Sequence, residues 1–170
     1  WGLLMSSVLP LLKGQKGFSL LEVLITLLVV SFGLLGMAAL IISGVRSNNI
    51  AHYRSIASKQ TEDIADRMRA NLAGVSAGAY DSLTATIPDS SDCVANACSP
   101  TQIATYDHSQ WNTGNSLLLP NGVGTVSGNV AAGYLITLQW REKEMNGEVD
   151  PNCPNGVATN TRCFLTRFSP

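Results

Sequence analysis

The chain has 170 residues, which is enough for one domain of ordinary size plus an appendage. Its 11 lysines and arginines stand against 12 acidic residues, so no basic excess is available to neutralise nucleic-acid phosphates, and a nucleic-acid partner is not expected. Apolar residues make up 45% of the chain and charged ones only 14%, and the apolar residues are concentrated near its start.

The first predicted element is a membrane-spanning helix. No charged residue occurs from Val23 to Val45, and a run of about twenty apolar residues suffices to cross a bilayer core about 30 Å thick. Lys13 and Lys16 precede the run and Arg46 follows it, which favours a cytoplasmic amino terminus and a remainder outside the cytoplasm. A conventional secretory signal has a shorter apolar core with a small-residue cleavage site after it, and is the alternative.

Glu22 is the one charge within this apolar segment, and it lies at its start. A charged side chain near the middle of a bilayer costs about 2.5 to 3.5 kcal/mol on insertion scales, so such a residue needs a reason. In one interpretation Glu22 lies at headgroup level. In the other, cleavage between Gly17 and Phe18 creates an α-amine at Phe18, and Glu22 meets the amine of a neighbouring subunit. Such a pair would set the axial register of assembly.

The segment Lys16-Gly-Phe-Ser-Leu-Leu-Glu-Val-Leu24 resembles the prepilin cleavage and methylation motif of type IV pilins and pseudopilins. The resemblance implies that a membrane aspartyl peptidase, the prepilin peptidase, cuts after Gly17 and N-methylates Phe18. It also implies a role for Glu22 in assembly. Residues 1–17 would then be the leader peptide, within which Met5 is an alternative start.

The helical pattern continues past Arg46 and ends within Asn71–Gly78, where glycines allow a helix cap. One helix is predicted from Phe18 to Ala73, with residues 18–45 as its transmembrane and assembly half and residues 46–73 as its periplasmic half. Lys59 with Asp63, and Asp63 with Arg67, are expected ion pairs on its polar face. Its apolar face comprises Ile50, Tyr53, Ala57, Ile64, Met68 and Leu72.

Two further segments resemble the PilV-type minor pilins, known as type IV pilus modification proteins. They are Ile64-Ala-Asp-Arg-Met-Arg-Ala-Asn71 and Cys98-Ser-Pro-Thr-Gln-Ile-Ala-Thr-Tyr-Asp107 followed by Trp111. In the second, Ser99 is predicted as the N-cap of a helix, with Pro100 at its first position and Gln102 completing a capping box. Its apolar stripe would comprise Ile103, Tyr106, Trp111 and Leu117.

Strands are predicted in the last third of the chain. Residues 134–141 alternate between apolar and polar, Asn146-Gly147 is a strong hairpin signal, and residues 124–128 and 163–168 are further strand candidates. Residues 76–97 are predicted to form a long loop with little to pack. The predicted fold is therefore α+β and type IV pilin-like, with a long N-terminal helix packed on a small antiparallel sheet in a globular head of residues 74–170.

All four cysteines, Cys93, Cys98, Cys153 and Cys163, lie in this head, outside the cytoplasm, where disulfides persist. Three pairings are open, and the two local ones, Cys93 with Cys98 and Cys153 with Cys163, are favoured because each closes a short loop. Zinc bound by four thiolates is the alternative, although the spacing is not that of a zinc ribbon. Asp89 and Asp92 are weighed as calcium ligands against an ordinary solvated loop.

No catalytic triad, phosphate-binding loop or paired-acid site is present, and His52 and His108 lie far apart in the sequence, so no catalytic residue, metal or cofactor is expected. The predicted function is a minor pilin, anchored by one span in the inner membrane with a periplasmic head. It would serve type IV pilus assembly or initiation, and thereby adhesion and twitching motility. Its expected partners are the prepilin peptidase, other minor and major pilins, and the inner-membrane assembly platform. A type II secretion pseudopilin and a single-pass membrane-anchored enzyme are the alternatives.

Overall fold

The computed structural model describes residues 17–170, so the leader prediction, including Met5, Lys13 and Lys16, lies outside the described residues. The chain divides into two units at Arg46 and Ser47, and each is described separately. The longest element, helix α1 (Leu20–Ala70), has 51 residues and contributes to both.

The first unit, in its described part, is the apolar portion of α1. Every residue from Gly17 to Asn49 is exposed, and large apolar side chains occur all round the helix. Between Val23 and Ile42 the two hydroxyl side chains bond to the helix's own backbone: Thr26 Oγ1 donates to the Val23 carbonyl at 2.9 Å, and Ser31 Oγ to the Leu27 carbonyl at 2.7 Å. Residues 23–42 therefore have no polar side chain that needs water, as a lipid-exposed helix requires.

In the second unit, α1 ends at Ala70 and a short helix α2 (Leu72–Ser76) begins after Asn71. The Asn71 side chain accepts a hydrogen bond from the Gly74 amide at 3.2 Å, which satisfies one of the free N–H groups of a new helix start. The long helix is thus shorter than the predicted span of Phe18 to Ala73, because a side chain that competes for backbone hydrogen bonds interrupts it at Asn71.

Four antiparallel strands form one sheet in the order β1-β2-β3-β4. The strands are β1 (Ser82–Leu83), β2 (Val123–Asn129), β3 (Gly133–Arg141) and β4 (Thr161–Phe168). Opposite residues include Thr125 with Thr137 in β2–β3, and Leu138 with Phe164 in β3–β4. The predicted α+β fold and its three main strands are confirmed.

Helix α3 (Pro100–Leu118) starts as predicted, because Ser99 and Gln102 form a complete capping box with Pro100 at the first position. It runs antiparallel to the C-terminal part of α1. Near its start the Pro100 carbonyl accepts from Asn71 Nδ2 at 2.8 Å, and further along Trp111 Nε1 donates to the Gln60 carbonyl at 2.8 Å.

The core lies between one face of the sheet, α1 and α3. Its largest fully buried side chains include Trp111, Trp140, Tyr80, Tyr134, Ile64 and Met68. The predicted apolar face of α1 is buried at Ala57, Ile64 and Met68, whereas Leu72 is 55% exposed because it belongs to the separate helix α2. All buried apolar residues among those described fall in the second unit.

The predicted apolar stripe of α3 is buried at Trp111 and half-buried at Ile103 and Tyr106, but the prediction is wrong at Leu117. Leu117 is 80% exposed, and the buried face consists of Ala104, Asp107, His108, Trp111, Asn112 and Asn115. Asp107, His108 and Asn112 can line this face because groups from other elements form hydrogen bonds with them, and a prediction from hydropathy alone does not include such bonds.

Residues 76–97 also contribute more to the core than the predicted loop would. Tyr80 is fully buried, and Leu83 in β1 joins the core at 7% exposure. The expectation of little to pack was wrong for residues 80–83, because a single buried tyrosine and a two-residue edge strand carry too weak a pattern to be predicted locally.

The predicted hairpin at Asn146-Gly147 is also wrong as a link between strands. Both residues have positive φ, 52° and 91°, and the Glu148 amide donates to the Met145 carbonyl at 2.9 Å, so a tight turn does form there. The turn lies inside the long connection of residues 142–160 between β3 and β4, whereas the tight strand connection of residues 130–132 joins β2 and β3.

Candidate processing and assembly site

Gly17, Phe18 and Ser19 are non-helical and lead directly into α1. The Ser19 carbonyl accepts from the Val23 amide at 3.2 Å, and its Oγ accepts from the Leu21 amide at 3.3 Å. The Ser19 carbonyl therefore accepts the first bond of the helix, and its side chain satisfies one of the free N–H groups at the helix start. A Cβ built on Gly17 would meet no described atom within 4 Å, so packing within the subunit does not account for a glycine there.

Phe18 and Glu22 are both exposed, and Phe18 is 83% exposed. Glu22 lies in the first turn of α1, where a carboxylate interacts favourably with the helix dipole. Within residues 17–170 no cation forms an ion pair with Glu22. The structure thus places an accessible backbone segment at residues 17–19 and a carboxylate one turn further on.

Among the described residues, α1 is the one helix whose length and apolar composition are sufficient to cross a membrane. Its most apolar stretch is not buried by the chain itself. An apolar surface of this extent needs an apolar environment, either lipid or the helices of neighbouring subunits.

The sequence matches two family descriptions that adjoin one another. Residues 12–38 match the prokaryotic N-terminal methylation motif, and residues 39–109 match type IV pilin Tt1218. The chain belongs to the type IV pilin family. No curated protein and no solved structure matched it.

As a pilin, the chain is a structural subunit of a pilus or pseudopilus and not an enzyme. The methylation motif implies processing by a prepilin peptidase and assembly with other pilins. The apolar helix fits membrane anchoring and incorporation into the filament.

A buried polar cluster joins the pilin's α1, α2, α3 and the segment before β1, and it holds the head on the helix. Tyr80 Oη donates to Asp107 Oδ2 at 2.5 Å and accepts from Asn71 Nδ2 at 3.0 Å. Arg67 Nη1 donates to Asp107 Oδ1 at 3.2 Å, and Arg67 Nε to Asp63 Oδ2 at 3.0 Å. This confirms the predicted Asp63–Arg67 pair and extends it to Asp107.

The electrostatics of this cluster follow from its burial. Desolvation raises the pKa of Tyr80, and the hydrogen bond to Asp107 raises it further. Burial acts to lower the pKa of Arg67, but the hydrogen bonds and charges of Asp63 and Asp107 outweigh it, so the pKa of Arg67 is raised. Tyr80 therefore stays neutral and Arg67 stays charged throughout the physiological range.

A second cluster connects α3 to the sheet. Asn112 Oδ1 accepts from the Gly124 amide at 2.7 Å, and its Nδ2 donates to the Gly124 carbonyl at 3.0 Å. His108 Nε2 lies 2.7 Å from the Thr84 carbonyl, which can only accept, so this nitrogen carries the proton. His108 thus connects α3 to the residue that follows β1.

Apart from the Asp63–Arg67 pair, both clusters were missed from the sequence. The available signal was the set of polar residues at helical spacing on α3, namely Asp107, His108, Asn112 and Asn115. Such a set is ambiguous, because the same spacing describes a solvated helix face when no partner elements are known.

A third group lies in the connection between β3 and β4. Arg162 makes two hydrogen bonds to the buried carboxylate of Glu142, and its Nη1 lies 3.4 Å from Asp150 Oδ2. Glu142 and Asp150 are 3% and 7% exposed, and among the described residues Arg162 is the one cation that forms an ion pair with either carboxylate. Arg162 therefore ties residues 142–160 to β4.

The cysteines are brought together as Cys93 with Cys98 and Cys153 with Cys163, with Cα–Cα distances of 5.5 and 5.2 Å. These distances are ordinary for disulfides. The connectivity stays a prediction for the oxidised protein. The second pair fastens the same residues 142–160 to β4 that Arg162 does.

Asp92, weighed above as a calcium ligand, uses Oδ1 to accept from the Val94 and Ala95 amides at 2.9 and 3.2 Å. It therefore caps the turn that closes the Cys93–Cys98 loop. In the described part of the chain, no group of three or more His, Cys, Asp or Glu residues could hold a metal ion.

Proposed function

We propose that this pilin is a PilV-type minor pilin, cleaved between Gly17 and Phe18 and N-methylated at Phe18. It is held in the inner membrane by residues 18–45, with the head in the periplasm. It is then incorporated as a minor component that promotes assembly or initiation of a type IV pilus, and so supports adhesion and twitching motility.

The observation that carries this proposal is the order of features at the amino terminus. An exposed, non-helical Gly17–Ser19 segment directly precedes an apolar helix with an exposed carboxylate, Glu22, in its first turn. A membrane peptidase needs access to extended backbone, and the resulting α-amine at Phe18 supplies a cation for Glu22 of a neighbouring subunit. The resemblance of residues 64–71 and 98–107 to PilV-type sequences supports the minor role.

A type II secretion pseudopilin is the second candidate, because the N-terminal motif is common to both classes. A minor pilin enters a type IV pilus, whereas a pseudopilin enters the pseudopilus of a type II secretion system. Deletion of the gene should reduce surface pili and twitching if the first proposal is right, and protein secretion with pili intact if the second is right.

The processing step is tested by mass spectrometry of the protein extracted from membranes of cells that contain a prepilin peptidase. We expect a mature chain that begins with N-methylated Phe18. A Gly17→Ala variant makes the smallest change at the cleavage site and should accumulate with its leader attached. The uncleaved fraction measures how strictly the peptidase requires glycine. An intact leader on the unaltered chain would refute the processing proposal.

A further inference from the structure

Three asparagines in the head are each followed by a glycine, namely Asn121, Asn146 and Asn155. In an Asn-Gly pair the backbone nitrogen of the glycine can attack the carbonyl carbon of the asparagine side chain, because glycine has no Cβ to shield that nitrogen. The sequence alone does not distinguish the three pairs. The reaction requires a backbone amide that can move and lose its proton, so the folded structure decides which pair reacts.

The amide of Gly122, which follows Asn121, is held in place. Gly122 is buried, and its N–H donates to the Leu119 carbonyl at 2.9 Å. A Cβ at Gly122 would lie 2.2 Å from the Asn115 carbonyl oxygen, so the backbone has little room to turn toward the Asn121 side chain. Ring closure at Asn121 would therefore require the contact between this turn and α3 to open.

The amide of Gly147, which follows Asn146, is exposed but already donates a hydrogen bond. Its acceptor is Asn160 Oδ1, at 2.6 Å. The backbone of Asn160 is itself held, because its amide donates to the Glu148 carbonyl at 2.7 Å and its carbonyl accepts from the Glu142 amide at 2.8 Å. The bond from Gly147 must break before its nitrogen can attack, and this requirement slows the reaction at Asn146.

The pair Asn155-Gly156 has neither restraint. Both residues are exposed, and a Cβ at Gly156 would meet no described atom within 4 Å. Within residues 17–170, no hydrogen bond involves the Gly156 amide or the Asn155 side chain. The Gly156 nitrogen can therefore approach the Asn155 side chain without breaking a hydrogen bond.

We propose that Asn155 is a site of spontaneous deamidation in the folded head. After the Gly156 amide loses its proton, its nitrogen forms a bond to Asn155 Cγ, the bond from Cγ to Nδ2 breaks, and Nδ2 leaves as ammonia. Water then opens the cyclic imide at either of its two carbonyl carbons, which leaves aspartate or isoaspartate at position 155. Nothing is oxidised or reduced, and water is the only co-reactant.

The modified residue lies in a part of the head that is closed by a cysteine pair. Cys153 and Cys163 are joined on either side of it. Either product adds one negative charge to this ring, and isoaspartate also lengthens its main chain by one carbon atom. The head surface at this connection therefore changes with the age of the subunit, and this inference does not depend on the proposed function.

Mass spectrometry of the aged full-length chain tests the proposal. The chain is incubated in detergent, in mildly alkaline buffer made with heavy-oxygen water, and is then reduced and digested with a protease. Opening of the imide places one heavy oxygen in the product, which distinguishes deamidation during the incubation from earlier deamidation. We expect labelled aspartate and isoaspartate at position 155 to form roughly fivefold faster than at Asn121 or Asn146, because one ordinary hydrogen bond corresponds to about that factor.

Asn160→Gly is the matched variant. It removes the oxygen that holds the Gly147 amide, and glycine suits the positive φ of 58° at this position. It should accelerate deamidation at Asn146 several-fold and leave the rate at Asn155 unchanged. The unaltered chain unfolded in urea is the second control, and there all three asparagines should react at similar rates.

Reaction at Asn121 or Asn146 as fast as at Asn155 in the folded chain overturns the proposal. An Asn155 that reacts in urea but stays intact in the folded chain also overturns it, because the fold then protects this residue. So does an unchanged rate at Asn146 in the Asn160→Gly variant, since hydrogen bonding of the glycine amide would then not set the selectivity.

Discussion

At the scale of single residues, Glu22 and Asp107 are both carboxylates on helices, but Glu22 is exposed and Asp107 is buried. Glu22 is exposed in the first turn of an apolar helix, and no described residue pairs with it. Asp107 is 7% exposed and bound by Tyr80 and Arg67. Asp107 is therefore satisfied within the subunit, whereas Glu22 has no paired cation among residues 17–170, and an unpaired charge is costly in an apolar environment.

Replacing Glu22 by alanine should leave insertion and cleavage intact and should reduce incorporation into filaments. The helix becomes more apolar and Gly17 is unchanged, but the Phe18 amine of a neighbour loses its counter-charge. Lysine should be worse than alanine, because two cations would then meet where the dielectric constant is low. The measurement is the amount of each variant in sheared filaments relative to the amount in the inner membrane.

Glu22→Gln is the matched control, because it keeps the shape of the side chain and removes only the charge. If the charge sets the register, glutamine should behave like alanine. Equal incorporation of the glutamate, glutamine, alanine and lysine forms would show that Glu22 only lies at headgroup level.

Tyr80 predicts a decline of head stability in alkali. Burial raises its pKa above the ordinary tyrosine value, so the neutral form is favoured in the folded state. The corresponding stability is fully present below about pH 10, the unfolded-state pKa, and is lost as the pH rises from there through the folded-state pKa. Unfolding by urea, followed at a series of pH values, should show this decline in the unaltered chain and a weaker one in Tyr80→Phe.

Tyr80→Phe should also cost about 1 to 3 kcal/mol at neutral pH, because Asp107 and Asn71 lose a buried partner. Tyr134→Phe is the comparison. Burial and the hydrogen bond to Asp81 raise the pKa of Tyr134 to about 12, so some alkaline decline should survive in Tyr80→Phe and disappear only in the double variant. An unchanged pH profile in the double variant would contradict the assignment to these tyrosines.

At the scale of elements, the contact between α3 and β2 depends on the absence of a side chain at Gly124. A Cβ there would lie 2.3 Å from Trp111 Cη2 and 2.7 Å from Cζ2. The same backbone is held by Asn112 through two hydrogen bonds, so β2 cannot move away without breaking them. Gly124 and the side-chain amide of Asn112 together determine how closely α3 and β2 approach each other.

Gly124→Ala should therefore destabilise the head by about 1 to 3 kcal/mol, the usual cost of overpacking a core. Gly114→Ala in α3 is the opposite case. A Cβ at Gly114 would have its nearest contact at 3.7 Å, with Gln60 Oε1, and alanine is favoured over glycine inside a helix by about 1 kcal/mol. Relative to the unaltered chain, the midpoint of thermal unfolding should fall for Gly124→Ala and rise for Gly114→Ala. A shift of the same sign in both variants would contradict this packing.

At the scale of the whole molecule, apolar surface is divided unequally between the two units. Exposed large apolar residues are consecutive through much of residues 18–45, while the buried ones lie between Ala57 and Phe168. The near-neutral net charge of −1 supplies little long-range repulsion to keep the apolar helix apart from other copies. The first unit depends on an apolar environment, and the second has its own core.

A chain that starts at Ser47 should consequently fold alone. The core residues, the three polar clusters and both cysteine pairs all lie within Ser47–Pro170. We expect cooperative thermal unfolding and a soluble monomer without detergent, measured by circular dichroism and sedimentation. A chain that starts at Ile64 is the control, and it should not fold because it lacks Ala57, Gln60 and Thr61 of the packed helix. Aggregation of both chains would contradict an independent core.

The amino-acid sequence by itself determined the features that depend on neighbouring residues. The uncharged run after Glu22, the Gly17–Phe18 motif, the capping box at Ser99 and the alternation in β3 are all local patterns. The energetics of helices, strands and caps depend on residues a few positions apart. These patterns therefore predict the elements without knowledge of the tertiary structure. They were sufficient for the α+β fold and for the family.

Only the tertiary structure decided which polar side chains are buried. Tyr80, Asp107 and Asn71 are separated by up to 36 residues, and whether a carboxylate on α3 is solvated or satisfied depends on those distant partners. The same holds for Leu117, whose apolar character predicted burial but which is 80% exposed in the folded head. Burial is a property of how elements are arranged in space, and hydropathy along one element does not contain that information.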